Sequence, residues 1–112
     1  MNLVITNIEK NTYALKPFIS GERNIESLIA RVKMIVLENP EQQTVLDLRK
    51  INFLDCIKIG TIIGTYHFLE FSGKKIHMLV DNEELQRAID KLCFDNIEIH
   101  VGSNKFALES IA

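Results

Sequence analysis

The chain has little of what usually fixes a chemistry at first sight. Its 112 residues include only two cysteines, Cys56 and Cys93, with no Cys-x-x-Cys pair and no ladder of cysteine and histidine. That argues against a disulfide framework and against a structural zinc site, and leaves reduced thiols. The formal charge is nearly balanced, at -2. No Lys/Arg cluster is interleaved with aromatics, so no nucleic-acid partner is expected. No uninterrupted apolar stretch approaches the roughly 20 residues of a membrane span, so no membrane insertion is expected. The first ten residues lack a basic region ahead of a long apolar run, so they do not read as a signal peptide, and the expected compartment is the cytoplasm. Internal repeats, linkers and low-complexity segments are also missing.

Catalytic signatures are equally sparse. There is no G-x-x-x-x-G-K-[ST] loop to cradle phosphates and no G-x-G-x-x-G turn for a dinucleotide, so no cofactor is expected. A phosphatase-like thiolate at Cys56 would need an arginine six residues on, where Ile62 stands. His67, His77 and His100 fall on three different predicted elements without H-x-x-x-H or H-E-x-x-H spacing, so a metal site could arise only by tertiary accident and none is expected. Asp47 and Asp55 are candidate paired carboxylates without a positioned histidine or serine beside them, which favours surface or capping roles. Enzymatic activity is therefore not expected.

What the sequence does contain is one domain's worth of patterned hydrophobicity. At 46% hydrophobic, residues 1–112 can build a single core. Leu3 to Ile8 alternates, Asn11 turns, and Thr12 to Lys16 resumes an extended pattern, predicting an opening hairpin. Ile25, Leu28, Ile29, Val32 and Ile35 or Val36 predict an amphipathic helix N-capped by Asn24 and ended by Asn39-Pro40. Val45, Leu46 and Leu48 read as a central strand whose Asp47 faces outward or closes a polar network. A second helix is predicted over about 57–71, ending at Ser72-Gly73. Gly60 and Gly64, four apart on it, imply close approach of backbone or partner, with tight packing on the sheet the simpler account.

Lys75 to Val80 predicts another strand, and Asp81-Asn82-Glu83-Glu84 a capping box before Leu85, Ala88, Ile89 and Leu92. Cys93, between Leu92 and Phe94, is expected in the core. Ile97, Ile99 and Val101 alternate with Glu98 and His100 as an edge strand, and a short helix carrying Phe106, Ala107, Leu108 and Ile111 closes the chain. The order β-β-α-β-α-β-α-β-α implies an α/β fold with a mixed, mostly parallel sheet flanked by helices.

The strand-to-helix passage Thr44 to Thr61 draws the eye, because Asp55-Cys56-Ile57-Lys58 is placed where helix-start N–H groups need partners. Val45-Leu46-Asp47-Leu48, followed by Ile51-Asn52-Phe53-Leu54-Asp55-Cys56-Ile57-Lys58-Ile59-Gly60-Thr61, resembles the STAS domain family of anti-sigma-factor antagonists, stressosome proteins and sulfate-transporter tails. It is similar to the family's V-L-D-L strand and F-x-D-S-S-G-L-G corner, and Ile19-Ser20-Gly21-Glu22 is similar to the loop after the second strand.

Position by position, Asp55 matches the motif aspartate, Cys56 and Ile57 the two serines, Lys58 and Gly60 the glycines. The resemblance implies a bacterial regulatory module that docks an anti-sigma factor acting as a serine kinase, or a stressosome-type protein, through Asp55, Cys56, Ile57, Lys58, Gly60, Thr61 and Asn24. Ile57 stands where the family's phosphorylated serine would be and has no hydroxyl, so the phospho-switch is expected to be lost. Thr61 is the nearest substitute phosphosite, and Asn24 replaces an aspartate that family members often carry. Competing expectations are a homodimerising structural module and an accessory subunit of a transporter or lipid-transport system.

Overall fold

A computed structural model describes residues 2–9, 11–18, 25–71, 73–104 and 106–111. The elements follow the expected order: β1 (Asn2–Glu9), β2 (Thr12–Phe18), α1 (Ile25–Glu38), β3 (Gln43–Asp47), α2 (Phe53–Glu70), β4 (Ile76–Val80), α3 (Glu83–Asp90), β5 (Ile97–Val101) and α4 (Ala107–Ile111). One five-stranded sheet runs β1-β2-β3-β4-β5. The β1–β2 hairpin is antiparallel and the remaining pairings are parallel, so the fold is α/β with a mixed, mostly parallel sheet flanked by helices.

This monotone order has a structural consequence. Successive right-handed crossovers stepping the same way lay their helices on one face of the sheet. Accordingly α1 packs on α2 and α2 on α3. The inward residues of alternate strand positions, Tyr13, Leu15, Leu46, Leu48, Ile76, Met78 and Val80, join Leu28, Val32, Val36, Ile59, Ile63, Leu85 and Ile89 in one core. The opposite face carries Ala14, Lys16, Val45, Asp47, His77, Leu79, Glu98 and His100, and α4 lies on it. A Cβ at Gly102 would meet Ala107 Cβ at 2.6 Å and Leu79 Cδ1 at 3.6 Å.

The glycines of α2 fit the packing account. A Cβ at Gly60 would meet Met78 Sδ at 3.4 Å, and one at Gly64 would meet Ile97 Cδ1 at 2.5 Å. The buried Asn96 then donates its side-chain amide to Gly64 O at 2.9 Å, tying the helix backbone to the segment before β5. Gly73, beyond the helix end, has φ +86°, the left-handed conformation expected of it.

Three expectations are corrected. The second helix starts at Phe53, four residues before Ile57, because Asn52 caps it. Asn52 Oδ1 accepts from Asp55 N–H at 2.9 Å, and Asn52 Nδ2 donates to Asp55 Oδ2 at 2.8 Å. The third helix is capped by Asn82, whose Oδ1 accepts from Leu85 N–H at 2.9 Å, while Asp81 turns away to accept from Lys50 N–H at 2.7 Å. That helix ends at Asp90, so Cys93, at φ 58°, is exposed and not in the core, and Leu92 is exposed with it. The capping expectation for Asn24 and the Ile19-Ser20-Gly21-Glu22 likeness lie outside the described residues.

Candidate functional site

The passage from β3 to α2 lies at the carboxyl end of the parallel strands, where open α/β sheets commonly bind their ligands. Its geometry is set by Asp47, which is 4% exposed. Arg49 returns onto it: Nε donates to Asp47 Oδ1 at 3.0 Å, Nη2 to Oδ2 at 3.0 Å and the backbone N–H to Oδ1 at 3.1 Å. Lys16 Nζ lies 3.8 Å from Asp47 Oδ1 and donates to Arg49 O. Arg49 Nη1 donates to Asn104 O at 2.7 Å, joining the segment after β5 to the same network. Asp47 therefore closes a polar network, one of the two alternatives its sequence pattern left open.

Lys50 follows at φ 64°, a left-handed conformation costly for a residue with a side chain, on the order of 1 kcal/mol. Its N–H is held by Asp81, which fixes the turn. A cleft of about 380 Å³ opens here between Lys16, Asp47, Arg49, Lys50, Asp81 and Ser103. Burial pushes the Lys16 ammonium below its usual pKa, against the raising effect of Asp47, and the Asp47 hydrogen bonds hold the Arg49 guanidinium above its own. The Lys16 and Arg49 cations are thus engaged within the protein. No histidine lines the cleft among the described residues, so Ser103 has no imidazole base beside it there.

The candidate residues Asp55, Cys56, Ile57, Lys58, Gly60 and Thr61 come together on the first turns of α2, and their exposures differ sharply. Asp55 is buried as the N3 residue of the cap. Cys56 is fully buried; its Sγ lies 3.3 Å from both Leu48 O and Ile51 O, and burial pushes the thiol pKa up to about 11. A thiol held protonated this way is a poor nucleophile. Ile57 is half-buried against the core, and Gly60 is buried on Met78.

Thr61 is half-buried about two turns into α2, not beside the helix start, and its carbonyl accepts from Thr65 Oγ1 at 2.8 Å. Among the described candidates only Lys58 is exposed, paired with Glu26 on α1 at 3.1 Å. Asn24 lies outside the described residues.

Two residues absent from the candidate set are the ones presented outward. Phe53 and Leu54, in the first turn of α2, are 43% and 77% exposed. Asn52 with Asp55 three residues on is a sequence-level start signal, and it phases the helix so that Asp55, Cys56, Ile59, Gly60, Ile63, Gly64 and His67 point inward. Leu54, Lys58, Thr61, Thr65 and Phe68 then fall on the outer face.

Comparison with protein-family models, curated proteins and solved structures finds no match to this chain. No helix among the described residues is long and apolar enough to cross a membrane.

Proposed function

We propose that the chain is a non-catalytic protein-interaction module that docks a protein partner on the start and outer face of α2. The observation that carries this reading is the exposure of Leu54, at 77%, beside Phe53 and over a rigidly capped helix start. A large apolar side chain held outward on an ordered element is the kind of anchor that a partner's pocket covers. The buried, protonated Cys56 supports a role without chemistry at the corner. Following the STAS resemblance, the partner is an anti-sigma factor with serine-kinase character or a stressosome-type protein in a bacterial cytoplasm. Ile57, packed inward and lacking a hydroxyl, makes docking independent of phosphorylation at that position.

Affinity capture from the native cytoplasm with wild type and Leu54→Asp tests the reading. Leu54 is preferable to Asp55 as the probe, because a change at Asp55 removes the carboxylate that accepts from the capping Asn52 Nδ2 and confounds docking with unfolding. A specific partner should be lost with Leu54→Asp while far-UV circular dichroism stays unchanged. An identical set of captured proteins from both forms rejects the α2 surface.

A homodimer through β1 is favoured by a separate observation. β1 is an eight-residue edge strand with Val4 48% and Ile5 53% exposed, and its sequence carries no charge before Glu9. Such an edge offers unpaired backbone groups to a second strand. For a transporter or lipid-transport accessory, an apolar pocket beside the corner would be the supporting sign; the cleft there takes one apolar residue, Phe18, with the stems of charged and polar residues making up the rest of its wall.

A further inference from the structure

On the face of the sheet away from α1, α2 and α3, the parallel register of β4 and β5 gathers residues that lie far apart in sequence. His77 pairs directly with Glu98 and Leu79 with His100, so His77, Glu98 and His100 project from the same face, away from α1, α2 and α3. His77 Nδ1 lies 2.9 Å from His100 Nε2 and 3.2 Å from Glu98 Oε2, and one ligand atom from each of the three falls within 4.8 Å of the others. We propose that His77, Glu98 and His100 form a binding site for a divalent transition-metal ion of the Zn2+ class, with solvent completing the coordination. The site is independent of the docking surface on α2.

The donor set and spacing carry the proposal. Two imidazole nitrogens and a carboxylate oxygen are the borderline donors such ions take, and His2Glu with an open position is an established zinc arrangement. Ligand bonds of about 2.0–2.1 Å place tetrahedral donors roughly 3.3 Å apart, so the two contacts of His77, at 2.9 and 3.2 Å, need shifts of only a few tenths of an ångström, while Glu98 and His100, within 4.8 Å of each other, close by at most about 1.5 Å through the exposed Glu98 side chain.

A single proton between His77 Nδ1 and either neighbour satisfies part of the contact, whereas a cation satisfies all three lone pairs at once. His77 is buried, which fixes its ring, and Gln43 contacts its other nitrogen, Nε2. Gln43 presents its side-chain nitrogen there; turning the amide over brings its oxygen to His77 Nε2, places the proton on that nitrogen and leaves the Nδ1 lone pair facing Glu98 and His100, the outer-shell arrangement that metal-binding histidines use. Glu98 is half-exposed and His100 less so, giving an ion an open approach.

The sequence carried half of this signal. Glu98-x-His100 on a strand puts both side chains on one face, but the arrival of His77 depends on strand register.

Calorimetric titration of the untagged full chain with Zn2+ near neutral pH tests the site. One ion per chain is expected, weakened at least about tenfold in Glu98→Gln and in His100→Ala, with a loss of about tenfold or more in Gln43→Ala. Cys93→Ser, which removes the exposed thiol, should leave the affinity unchanged. Imidazole nitrogen NMR on the wild-type chain gives a readout independent of variant folding: Zn2+ should shift His77 Nδ1 and His100 Nε2 and leave His67 unmoved. Absence of saturable binding, unmoved His77 and His100 resonances, or affinity unaltered in the His77→Ala/His100→Ala double variant overturns the proposal and leaves a proton-bridged pair.

Discussion

Replacing Asp47 with Asn probes the network that holds the carboxyl end of the sheet. Asn keeps one carbonyl oxygen for the Arg49 backbone N–H and Nε, but its amide points N–H groups at Arg49 Nη2 where Oδ2 had accepted at 3.0 Å. One hydrogen bond to a charged group is lost, about 1.5–3 kcal/mol. Two cations, Lys16 and Arg49, are also left without their carboxylate; their side chains are 18% and 14% exposed, so water relieves only part of that cost. Removing one partner of a buried pair costs about 3–5 kcal/mol where solvent is excluded, and this partial access brings the expected destabilisation to about 3 kcal/mol. Urea unfolding monitored by circular dichroism would read it as a lower midpoint at unchanged slope. In a cycle with Arg49→Met, the double variant should recover more than about 1 kcal/mol of the sum of the single losses. A loss below about 1 kcal/mol, the range of exposed ion pairs, would refute the reasoning, as would a loss that largely vanishes in high salt.

The two thiols should separate cleanly under a mild alkylating agent at neutral pH. Cys93, exposed, reacts at the rate of an ordinary thiol, whereas Cys56, with its pKa raised to about 11, reacts only as the protein unfolds, and mass mapping of the modified peptides checks the order. Fast reaction at Cys56 would reopen a catalytic role for the corner. His67 is buried, its Nδ1 has no hydrogen-bond partner among the described residues, and burial chiefly lowers its pKa from the ordinary 6.5. The folded state therefore binds this proton less readily than the unfolded chain, so the contribution to stability is full above the ordinary value and is lost as pH falls below it. Thermal unfolding across that window should show a falling midpoint for wild type and a shallower fall for His67→Phe.

Much of the fold is legible because hydrophobic period and punctuation agree. The β1–β2 hairpin follows from alternation around Asn11, α1 from its i, i+3, i+4 apolar positions, and the order of strands and helices from their alternation. What was not legible is where short polar side chains spend their hydrogen bonds. Asn52 and Asn82 cap the helices whose sequence pattern places the starts near Ile57 and at an Asp81 capping box, because an asparagine oxygen within reach of the N3 N–H decides the boundary. Asp81, released from capping, is free to hold the left-handed Lys50. Cys93 reads as core only while α3 is extended through Leu92; once the helix stops at Asp90, the turn carries both outward.

The placement of both sites follows from the winding of the sheet. Strands added in one direction put α1, α2 and α3 on one face and leave no point where the order reverses among the parallel strands, so the usual crevice between oppositely wound halves has no place to form. Ligand-directed side chains must then come from the strand ends or from the face those helices leave uncovered. That face bears an apolar band, Ala14, Val45 and Leu79, each almost wholly buried, with Lys16 and Asp47 beside it on β2 and β3 and His77, Glu98 and His100 beside it on β4 and β5. A polar group beside such a band is poorly solvated and must find partners in the protein or in a ligand. Asp47 finds Arg49 and Lys16, and the network becomes a strut for the turn into α2. The two histidines find each other, Glu98 and Gln43, none of them a cation, and that difference separates a structural network from a candidate metal site.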